Sequence, residues 1–308
     1  MLNHFFLKKY EPAYHSKVVE LYQSLKEKYV DFIYWWPGKE SFTWNFCDCA
    51  FIGDKFIGKG QVQPIAVMEE GDSHDLKHKI FINIKIHPDY EKETEIYQIL
   101  YESLYKKALK IKDSLPTGFG CLLCVGNFRE EEENNAFYLA NGFKPLNSLY
   151  GMARDLSEEM VASEYPLGIE VRHWQMNQEE EQLKYLRAEK EIWPDNPLGL
   201  ERLLEFKRNP NWTAITAFDG EDIVGSVMAW EDLGEQAGVI EDLFVKEAYR
   251  KSGLGRYLLV AGLTHLQSVE LKEAQLEVVT DNDKALNLYR SAGFKEISEE
   301  KRFYIELK

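Results

Sequence analysis

The C-terminal half of the chain alternates between strand-like and helix-like patterns of hydrophobic positions. Alternating apolar and polar residues predict half-buried strands, and apolar residues three or four apart predict amphipathic helices. The predicted elements from residue 168 onward are, in order, a strand in GIEVRHW, helices in QEEEQLKYLRAEKEIW and GLERLLEFKRN, a hairpin of TAITAFD and DIVGSVMAWED, a strand in GVIEDLFV, a helix from about Gly253 to Glu270, a strand in AQLEVVT, a helix in NDKALNLYRSA and final strands in FKEISEEKRFYIEL. This order predicts an α/β (α+β) fold with a mixed, mostly antiparallel sheet flanked by helices.

The N-terminal half repeats the same motifs in the same order. FIGDKFIGKGQV corresponds to FDGEDIVGSVMA, IKIHPDYEKETEI to LFVKEAYRKSGLG, and AFYLANGFK to NLYRSAGFK. Three matches in one order indicate a tandem duplication. The polar segment of residues 155–168, which ends in Pro166 and Gly168, has the composition of an exposed connector. We therefore predict two domains, residues 1–157 and residues 168–308.

A basic, glycine-containing turn, RKSGLG, lies between a predicted strand and a predicted helix at Arg250–Gly255. The first turn of a helix has about four backbone N–H groups without intrahelical partners and carries a partial positive charge. Glycines let a ligand approach the backbone closely, and nearby cations add to the attraction for an anion. The turn therefore predicts an anion site, most often for phosphate. A solvated turn capped by Ser252 is the alternative interpretation.

The turn and a later segment together resemble the GCN5-related N-acetyltransferase (GNAT) family. That family has a Q/R-x-x-G-x-G/A turn after its fourth strand and an N-x-x-A-x-x-x-Y-x-x-x-G-F segment after its fifth. The matching residues here are Arg250, Gly253 and Gly255 in the turn, and Asn282, Ala285, Tyr289, Gly293 and Phe294 in the segment. The resemblance covers residues 168–308 and implies two tandem GNAT folds, the second of which binds acetyl-CoA.

The resemblance also implies where acetyl-CoA, the acyl donor, binds. The pyrophosphate of the coenzyme would lie on the N–H groups of the turn, and its pantetheine arm would pair with the backbone of the preceding strand. No metal ion is implied. The residues assigned to the coenzyme in this way are Leu243, Phe244, Val245, Arg250, Lys251, Ser252, Gly253, Leu254, Gly255, Arg256 and Asn282.

Two residues are expected to move protons. Tyr289 matches the family tyrosine that often protonates the departing thiolate, although a core aromatic would show the same spacing. An amine must lose a proton to attack a thioester, and a carboxylate or a water chain can take it. Glu241 is our first candidate for this base because it lies on the thioester-bearing strand. We expect Asp242 to point to the opposite face, and Asp242 or water remains the alternative base.

The N-terminal half departs from the family pattern at the turn. Glu91, Thr94 and Ile96 stand where the C-terminal half has Arg250, Gly253 and Gly255. Glu91, Glu93 and Glu95 would repel a pyrophosphate at this place. We therefore expect a degenerate GNAT-like domain without a coenzyme site, in which Tyr138, the counterpart of Tyr289, has a packing role.

Composition narrows the possible partners and compartment. The net charge of −15 argues against a general nucleic-acid-binding surface. No apolar stretch reaches the ~18 residues of a membrane span, and the first residues lack a secretory pattern, so we expect a cytoplasmic protein without membrane partners. The cysteine pairs CDC and CLLC are expected to be free buried thiols, and the pair His74 and His78 a loop feature without a metal.

The function expected from these patterns is transfer of an acetyl group to a primary amine of an unidentified small-molecule or peptide acceptor by a monomer or homodimer. A non-catalytic module that binds or senses an acyl-CoA is the alternative. The tryptophan-containing segments YVDFIYWWPGKESFTW and EIWPDNPLGLERLL lie where the family binds its acceptors. Tryptophans can hold a cationic amine by cation–π contact, although most tryptophans belong to hydrophobic cores.

Overall fold

The computed structural model of the chain describes residues 5–160, 162–165, 167–194, 197–279 and 282–308. Pro166 of the predicted connector lies outside these residues. The chain divides into two compact units. Unit 1 consists of Met1–Leu149 and Ser298–Lys308, and unit 2 consists of Tyr150–Ile297.

Unit 1 is an open sheet with helices packed on it. Its elements are β1 (Phe5–Lys9), α1 (His15–Lys28), β2 (Cys47–Ile52), β3 (Lys55–Ala66), β4 (Lys77–Ile86), α2 (Thr94–Lys112), β5 (Gly120–Phe128), α3 (Glu132–Ala140), the first part of β6 (Lys144–Asp155) and the last part of β12 (Lys295–Glu306). The sheet order includes β1-β2-β3-β4-β5-β12. β4 and β5 are parallel, and the other register pairs along this order are antiparallel.

The hydrophobic core of unit 1 lies between the sheet and α2. Apolar residues three or four apart bury one stripe of this helix, which packs on β3 and β4. The buried residues of the stripe are Ile96, Leu100, Leu104, Ala108 and Ile111. Phe303 and Leu307 from the end of the chain belong to the same cluster, so the C-terminal strand is part of the core of unit 1.

Unit 2 repeats this architecture. Its elements are the second part of β6, β7 (Glu170–Trp174), α4 (Glu179–Lys190), α5 (Leu200–Phe206), β8 (Thr213–Asp219), β9 (Asp222–Asp232), β10 (Ala237–Val245), α6 (Leu254–Ser268), β11 (Glu273–Val279), α7 (Asp283–Ser291) and the first part of β12. The sheet order includes β6-β11-β10-β9-β8-β7, in which β10 and β11 are parallel and β7 to β10 are antiparallel to their neighbours. The predicted fold class, mixed and mostly antiparallel, is confirmed.

Glycines at equivalent positions of the two units have the same backbone roles. Gly53 and Gly220 have φ values of 55° and 58° in the turns after β2 and β8, where a left-handed conformation favours glycine. A side chain at Gly58 would meet the carbonyl oxygen of Lys85 at 2.9 Å, and one at Gly225 would meet that of Phe244 at the same distance. The two units therefore use glycine for the same close strand approach, and Lys85 occupies the place of Phe244.

The compact units differ from the predicted domains at both boundaries. The sequence boundary assigned all of residues 168–308 to the second domain, whereas Ser298–Lys308 belongs to unit 1 and Tyr150–Asp155 to unit 2. Alternating hydrophobic residues predict that a segment is a strand, but they do not specify which sheet receives it. Among the described residues, no helix is long and apolar enough to cross a membrane.

Candidate active site

The first feature of the site is a gap between β10 and β11. Among the described residues, these strands are in register only at Gly238 with Ala274 and at Val239 with Gln275. Beyond this point β10 contains a bulge, where the three-residue step from Glu241 to Phe244 faces a two-residue step on β9. A bulge bends its strand, so the residues after it have no described register with β11. The backbone of Leu243, Phe244 and Val245, which the sequence assigned to the pantetheine arm, follows this bulge.

The side chains of this strand segment are used for packing. Phe244 is buried in the cluster that contains Tyr185, and Leu243 and Val245 pack against the cluster beneath α6. The side chain of Phe244 is therefore not available to a ligand, and those of Leu243 and Val245 are only partly exposed. This arrangement is the one expected for a strand that binds an extended ligand by main-chain hydrogen bonds.

The second feature is the turn that leads into α6. Gly253 has a φ of +88° and is the N-cap residue, and Lys251 also has a positive φ of 64°. The hydroxyl of Ser252 donates to the carbonyl of Tyr249 at 2.6 Å and accepts from the N–H of Leu254 at 3.4 Å. Ser252 thus links the turn to the first residue of α6, although the N-cap residue is Gly253 and not Ser252. The N–H groups of Gly255 and Arg256 follow in the first helical turn, where intrahelical acceptors are absent.

The cations around the turn are held in different ways. The Nε atom of Arg250 donates to the carbonyl of Val245 at 3.0 Å, and Nη2 of Arg256 donates to the hydroxyl of Ser291 at 3.0 Å. Lys251 is exposed and its side chain extends from the turn. The two arginines therefore fix positive charge beside the start of α6, to which the helix dipole adds.

The third feature is α7, which carries the tyrosine of the motif. The side chain of Asn282 accepts from the N–H of Ala285 at 3.2 Å and so caps this helix. Tyr289 is 8% exposed and packs edge-on against Phe294, with the ring centroids 6.0 Å apart. Burial raises the pKa of Tyr289, and the charges of Glu241 and Asp242 raise it further. Its hydroxyl is thus protonated at neutral pH, as an acid requires.

Both carboxylates of β10 lie on the side of the sheet that faces α4 and α5, which corrects the expectation that Asp242 points away from Glu241. Glu241 is opposite Met228, which packs in the same cluster as Tyr185 of α4. The hydroxyl of Tyr185 donates to Asp242, whose φ of +53° places it within the bulge. The extra residue of a bulge breaks the alternation of faces, so neighbouring side chains can share one.

These carboxylates have unusual proton affinities. The pKa of Asp242 is raised to about 8, mainly by burial. The hydrogen bond from Tyr185 lowers this pKa, and the negative charges of Glu189 and Glu241 raise it further. Burial also raises the pKa of Glu241, which the charge of Arg202 partly offsets. Both carboxylates therefore bind a proton more tightly than an exposed carboxylate does, which makes each a stronger base once it is ionised.

Unit 1 has an ion pair at the corresponding place. β4 and β5 keep continuous parallel register from Lys77 with Gly120 to Ile82 with Val125. Beyond this point Lys85 forms a buried ion pair with Glu131, the counterpart of Asn282. Polar side chains fill the space that in unit 2 separates the strands.

The turn of unit 1 also differs from expectation. Glu91, the counterpart of Arg250, is only 5% exposed, because it pairs with Lys28 and accepts from the hydroxyl of Tyr29 at 3.0 Å. Glu91 is therefore not presented at the turn as an unpaired charge, whereas Glu93 and Glu95 are exposed there. Tyr138 is fully buried among Phe137 and Phe143, in the packing position expected of it.

Sequence reasoning missed three residues near the carboxylates of β10. Tyr185 and Glu189 are buried on one face of α4, and Arg202 on α5 lies close enough to affect the pKa of Asp242. The sequence feature that could have identified Glu189 is its position four residues after Tyr185, which places it on the inward face of a predicted helix. Glutamate is rarely buried without a specific role.

Comparisons with known proteins agree with the geometry. Residues 171–294 match the model of the acetyltransferase (GNAT) family. Over 165 residues the chain is 31% identical to a mycothiol acetyltransferase of Thermobispora bispora, an alignment that covers 50% of this chain and 55% of the relative. It is also 31% identical over 103 residues to an N-alpha-acetyltransferase of Sulfurisphaera tokodaii, covering 30% of this chain and 61% of the relative. The chain thus spans about half the length of the curated relatives it matches.

Solved structures match nearly the whole chain. A GCN5-related N-acetyltransferase from Sphaerobacter thermophilus has a TM-score of 0.71 and 17% identity, covering 99% of this chain and 96% of that one. A tandem GNAT protein from the clavulanic acid biosynthesis pathway has a TM-score of 0.65 and 13% identity, covering 99% and 98%. At these identities the similarity shows the fold alone. Residues 171–294 therefore match the GNAT family model, and the fold of the chain is similar to GNAT structures that include a tandem GNAT protein.

Proposed function

We propose that unit 2 transfers an acetyl group from acetyl-CoA to a primary amine. The observation that carries this proposal is the gap after the bulge of β10, which has the phenol of Tyr289 and the carboxylates of Glu241 and Asp242 beside it. Unit 1 shares the fold, but the buried ion pair of Lys85 and Glu131 occupies this place. The contrast supports a ligand-binding role for the gap, because protein side chains fill the same place in unit 1.

The residues around the gap suit the binding of acetyl-CoA. The backbone of Leu243–Val245 would pair with the amide groups of the pantetheine arm. The turn of Arg250–Arg256 would take the pyrophosphate on its N–H groups, with Lys251 as a mobile counter-charge. Asn282 fixes the start of α7 and thereby the position of Tyr289 over the thioester.

The chemistry then needs one acid and one base. The amine nitrogen forms a bond to the thioester carbonyl carbon, and the carbon–sulfur bond breaks. Tyr289 gives its proton to the departing thiolate, and a carboxylate of β10 takes the proton that the nitrogen loses. Solvent returns the proton from the carboxylate to Tyr289, so the products are the acetylated amine and coenzyme A.

The test is acetyl-CoA turnover with a panel of alkyl amines, aminoglycosides, amino acids and peptides. Release of free thiol together with an acceptor that gains one acetyl group by mass spectrometry is the expected result. Tight binding of acetyl-CoA without turnover on any acceptor would favour the alternative, a module that senses an acyl-CoA. Absence of binding would contradict both.

A further inference from the structure

The bulge of β10 places Asp242 in a backbone conformation that its side chain does not favour. Its φ of +53° lies in the left-handed region, which residues other than glycine seldom adopt. Such strain persists only where the surrounding structure holds it, and it concentrates at functional sites. The consequence of this strain is that the carboxylate of Asp242 turns toward α4.

A buried tyrosine holds that carboxylate. Tyr185 of α4 has no exposed surface, and its hydroxyl donates to Asp242. Glu241, by contrast, has no hydrogen bond to another side chain within the described ranges, and only the backbone N–H of Asp242 bonds its carboxylate. A base must be held in a fixed position to take a proton from a reacting amine. Of the two carboxylates, Asp242 is the one whose position is fixed by another side chain.

A second acidic group on the same helix face lies near Asp242. Glu189 is one helical turn after Tyr185 and is 2% exposed. Its Oε1 atom accepts from the N–H of Leu198 at 3.1 Å, whereas its Oε2 atom is buried without a hydrogen-bond partner among the residues described. An unsatisfied buried carboxylate oxygen is costly, so it calls for an explanation.

The charge of Glu189 supplies such an explanation. It raises the pKa of Asp242, which reaches about 8, and burial raises the pKa of Glu189 itself to about 7. Other charged or titratable groups also influence the pKa values of Asp242 and Glu189: Tyr185 and Lys190 from α4, Arg202 from α5, and Glu241 on β10. The charge of Asp242 in turn raises the pKa of Tyr289 on α7. A carboxylate with a pKa near the working pH is a more effective base than one with an ordinary value.

We infer that Asp242 is the base that deprotonates the acceptor amine, and that Tyr185 and Glu189 are positioning residues that set its orientation and proton affinity. The inference rests on the proposed acetyl transfer for its reaction. In the reaction, the proton lost by the amine nitrogen moves to Asp242 as the carbon–nitrogen bond forms. Tyr289 supplies the separate proton that the thiolate takes.

The two positioning residues act on Asp242 in opposite directions, which gives a sharp test. The hydrogen bond from Tyr185 lowers the pKa of Asp242, and the charge of Glu189 raises it. In Tyr185→Phe the acidic limb of the pH–rate profile should therefore move to higher pH, and in Glu189→Gln to lower pH, each by about 0.5–1 pH unit. Glu180→Gln removes an exposed carboxylate from the same helix and should leave the limb in place.

Variants of β10 distinguish the two candidate bases. Asp242→Asn should lower kcat by at least about 10²-fold and abolish the acidic limb, whereas Glu241→Gln should keep the limb and lose less than about tenfold. The opposite pattern would assign the base to Glu241. Limb shifts of the same sign in Tyr185→Phe and Glu189→Gln would overturn the positioning roles.

A readout without turnover separates this inference from the proposed function. Aspartate carboxyl carbons of the full chain can be titrated by ¹³C NMR, with Asp242→Asn assigning the resonance. A midpoint near 8 that rises in Tyr185→Phe and falls in Glu189→Gln is expected even if no acceptor has been found. An ordinary midpoint near 4, or one that neither variant moves, would overturn the inference whether or not the protein transfers acetyl groups.

Discussion

At the scale of single residues, identical side chains in the two units have different surroundings. Tyr289 lies beside two carboxylates and the gap after β10, whereas the hydroxyl of Tyr138 is buried without a hydrogen-bond partner among described residues. The motif around both tyrosines is readable in the sequence. The surroundings of each hydroxyl cannot be read from the motif, because residues distant along the chain form them.

This difference predicts unequal effects of the same substitution. Tyr289→Phe should lower turnover by roughly 10²-fold, the low end for loss of a general acid, while acetyl-CoA affinity stays near its wild-type value. Tyr138→Phe is the matched control and should leave turnover unchanged, since it removes only an unpaired hydroxyl from a core. Steady-state kinetics and calorimetric binding of acetyl-CoA measure both quantities. Equal turnover in Tyr289→Phe and the wild type would assign Tyr289 to packing.

The buried carboxylate of Glu189 predicts a pH-dependent effect on stability. A carboxyl group whose pKa is raised on folding binds its proton more tightly in the folded state. Its favourable contribution is present below the unfolded value of about 4.5 and is lost as pH rises to about 7. Glu189→Gln, which cannot ionise, should therefore be more stable than the wild type at pH 8.5, by on the order of 1–3 kcal/mol.

Urea unfolding at pH 5 and pH 8.5 measures this difference. The two proteins should differ far less at pH 5, where Glu189 is largely protonated in the folded state. A stability difference that is independent of pH would mean that the glutamine changes packing rather than charge. Combined with the expected change in the pH–rate profile, a gain in stability would mark Glu189 as a residue kept for activity at a cost in folding free energy.

At the scale of elements, hydrophobic periodicity predicted the strands and helices of unit 2, and α6 at Leu254–Ser268 lies within the predicted helix. The bulge of β10 could not be predicted in this way. One inserted residue leaves the pattern VIEDLFV readable as an ordinary strand, so alternation put Glu241 and Asp242 on opposite faces. The position of the two carboxylates of β10 is thus the part of the candidate site that required the structure.

The first turn of α6 offers a substitution that separates ligand binding from folding. A Cβ atom at Gly255 would lie 3.6 Å from Val245 and 3.7 Å from Leu288, which are ordinary contacts. Gly255→Ala should therefore preserve the fold and stabilise the helix by up to about 1 kcal/mol. If the pyrophosphate lies against this backbone, acetyl-CoA affinity should fall at least about tenfold, because the methyl group blocks its approach.

Thr264→Ala, at an exposed position of the same helix, is the control for helix propensity. It should raise the unfolding midpoint without changing acetyl-CoA affinity, as measured by thermal unfolding and calorimetry. Unchanged affinity in Gly255→Ala would mean that the coenzyme does not approach the turn closely.

At the scale of the whole molecule, the duplication was readable from three matched motifs, but the membership of the terminal strands was not. Strand β12 was assigned to the domain in which it is encoded, whereas most of it lies in unit 1. Pairing partners far apart in sequence leave no local signal. The difference between the acidic turn before α2 and the basic turn before α6, by contrast, follows from local composition and could be read directly from the sequence.

Unit 2 has the basic turn, whereas unit 1 has the exposed Glu93 and Glu95 at its turn and a buried ion pair in place of the gap, so one chain should bind one acetyl-CoA. Isothermal titration of the intact protein should give a stoichiometry near one. Gly253→Glu should abolish binding, since it adds an anion and a side chain at a left-handed position. A stoichiometry near two, or binding that survives this substitution, would reveal a coenzyme site in unit 1.

The assignment of Ser298–Lys308 to unit 1 has a consequence for synthesis on the ribosome. The strand that pairs with β5 is translated about 170 residues after it. Until then, β5 has an unpaired edge, and the core around Phe303 is incomplete. Unit 1 therefore cannot finish folding before unit 2 has been made, although its own half of the chain emerges first. During that interval its open strand edge is the part of the nascent chain most exposed to misassociation and to chaperone binding.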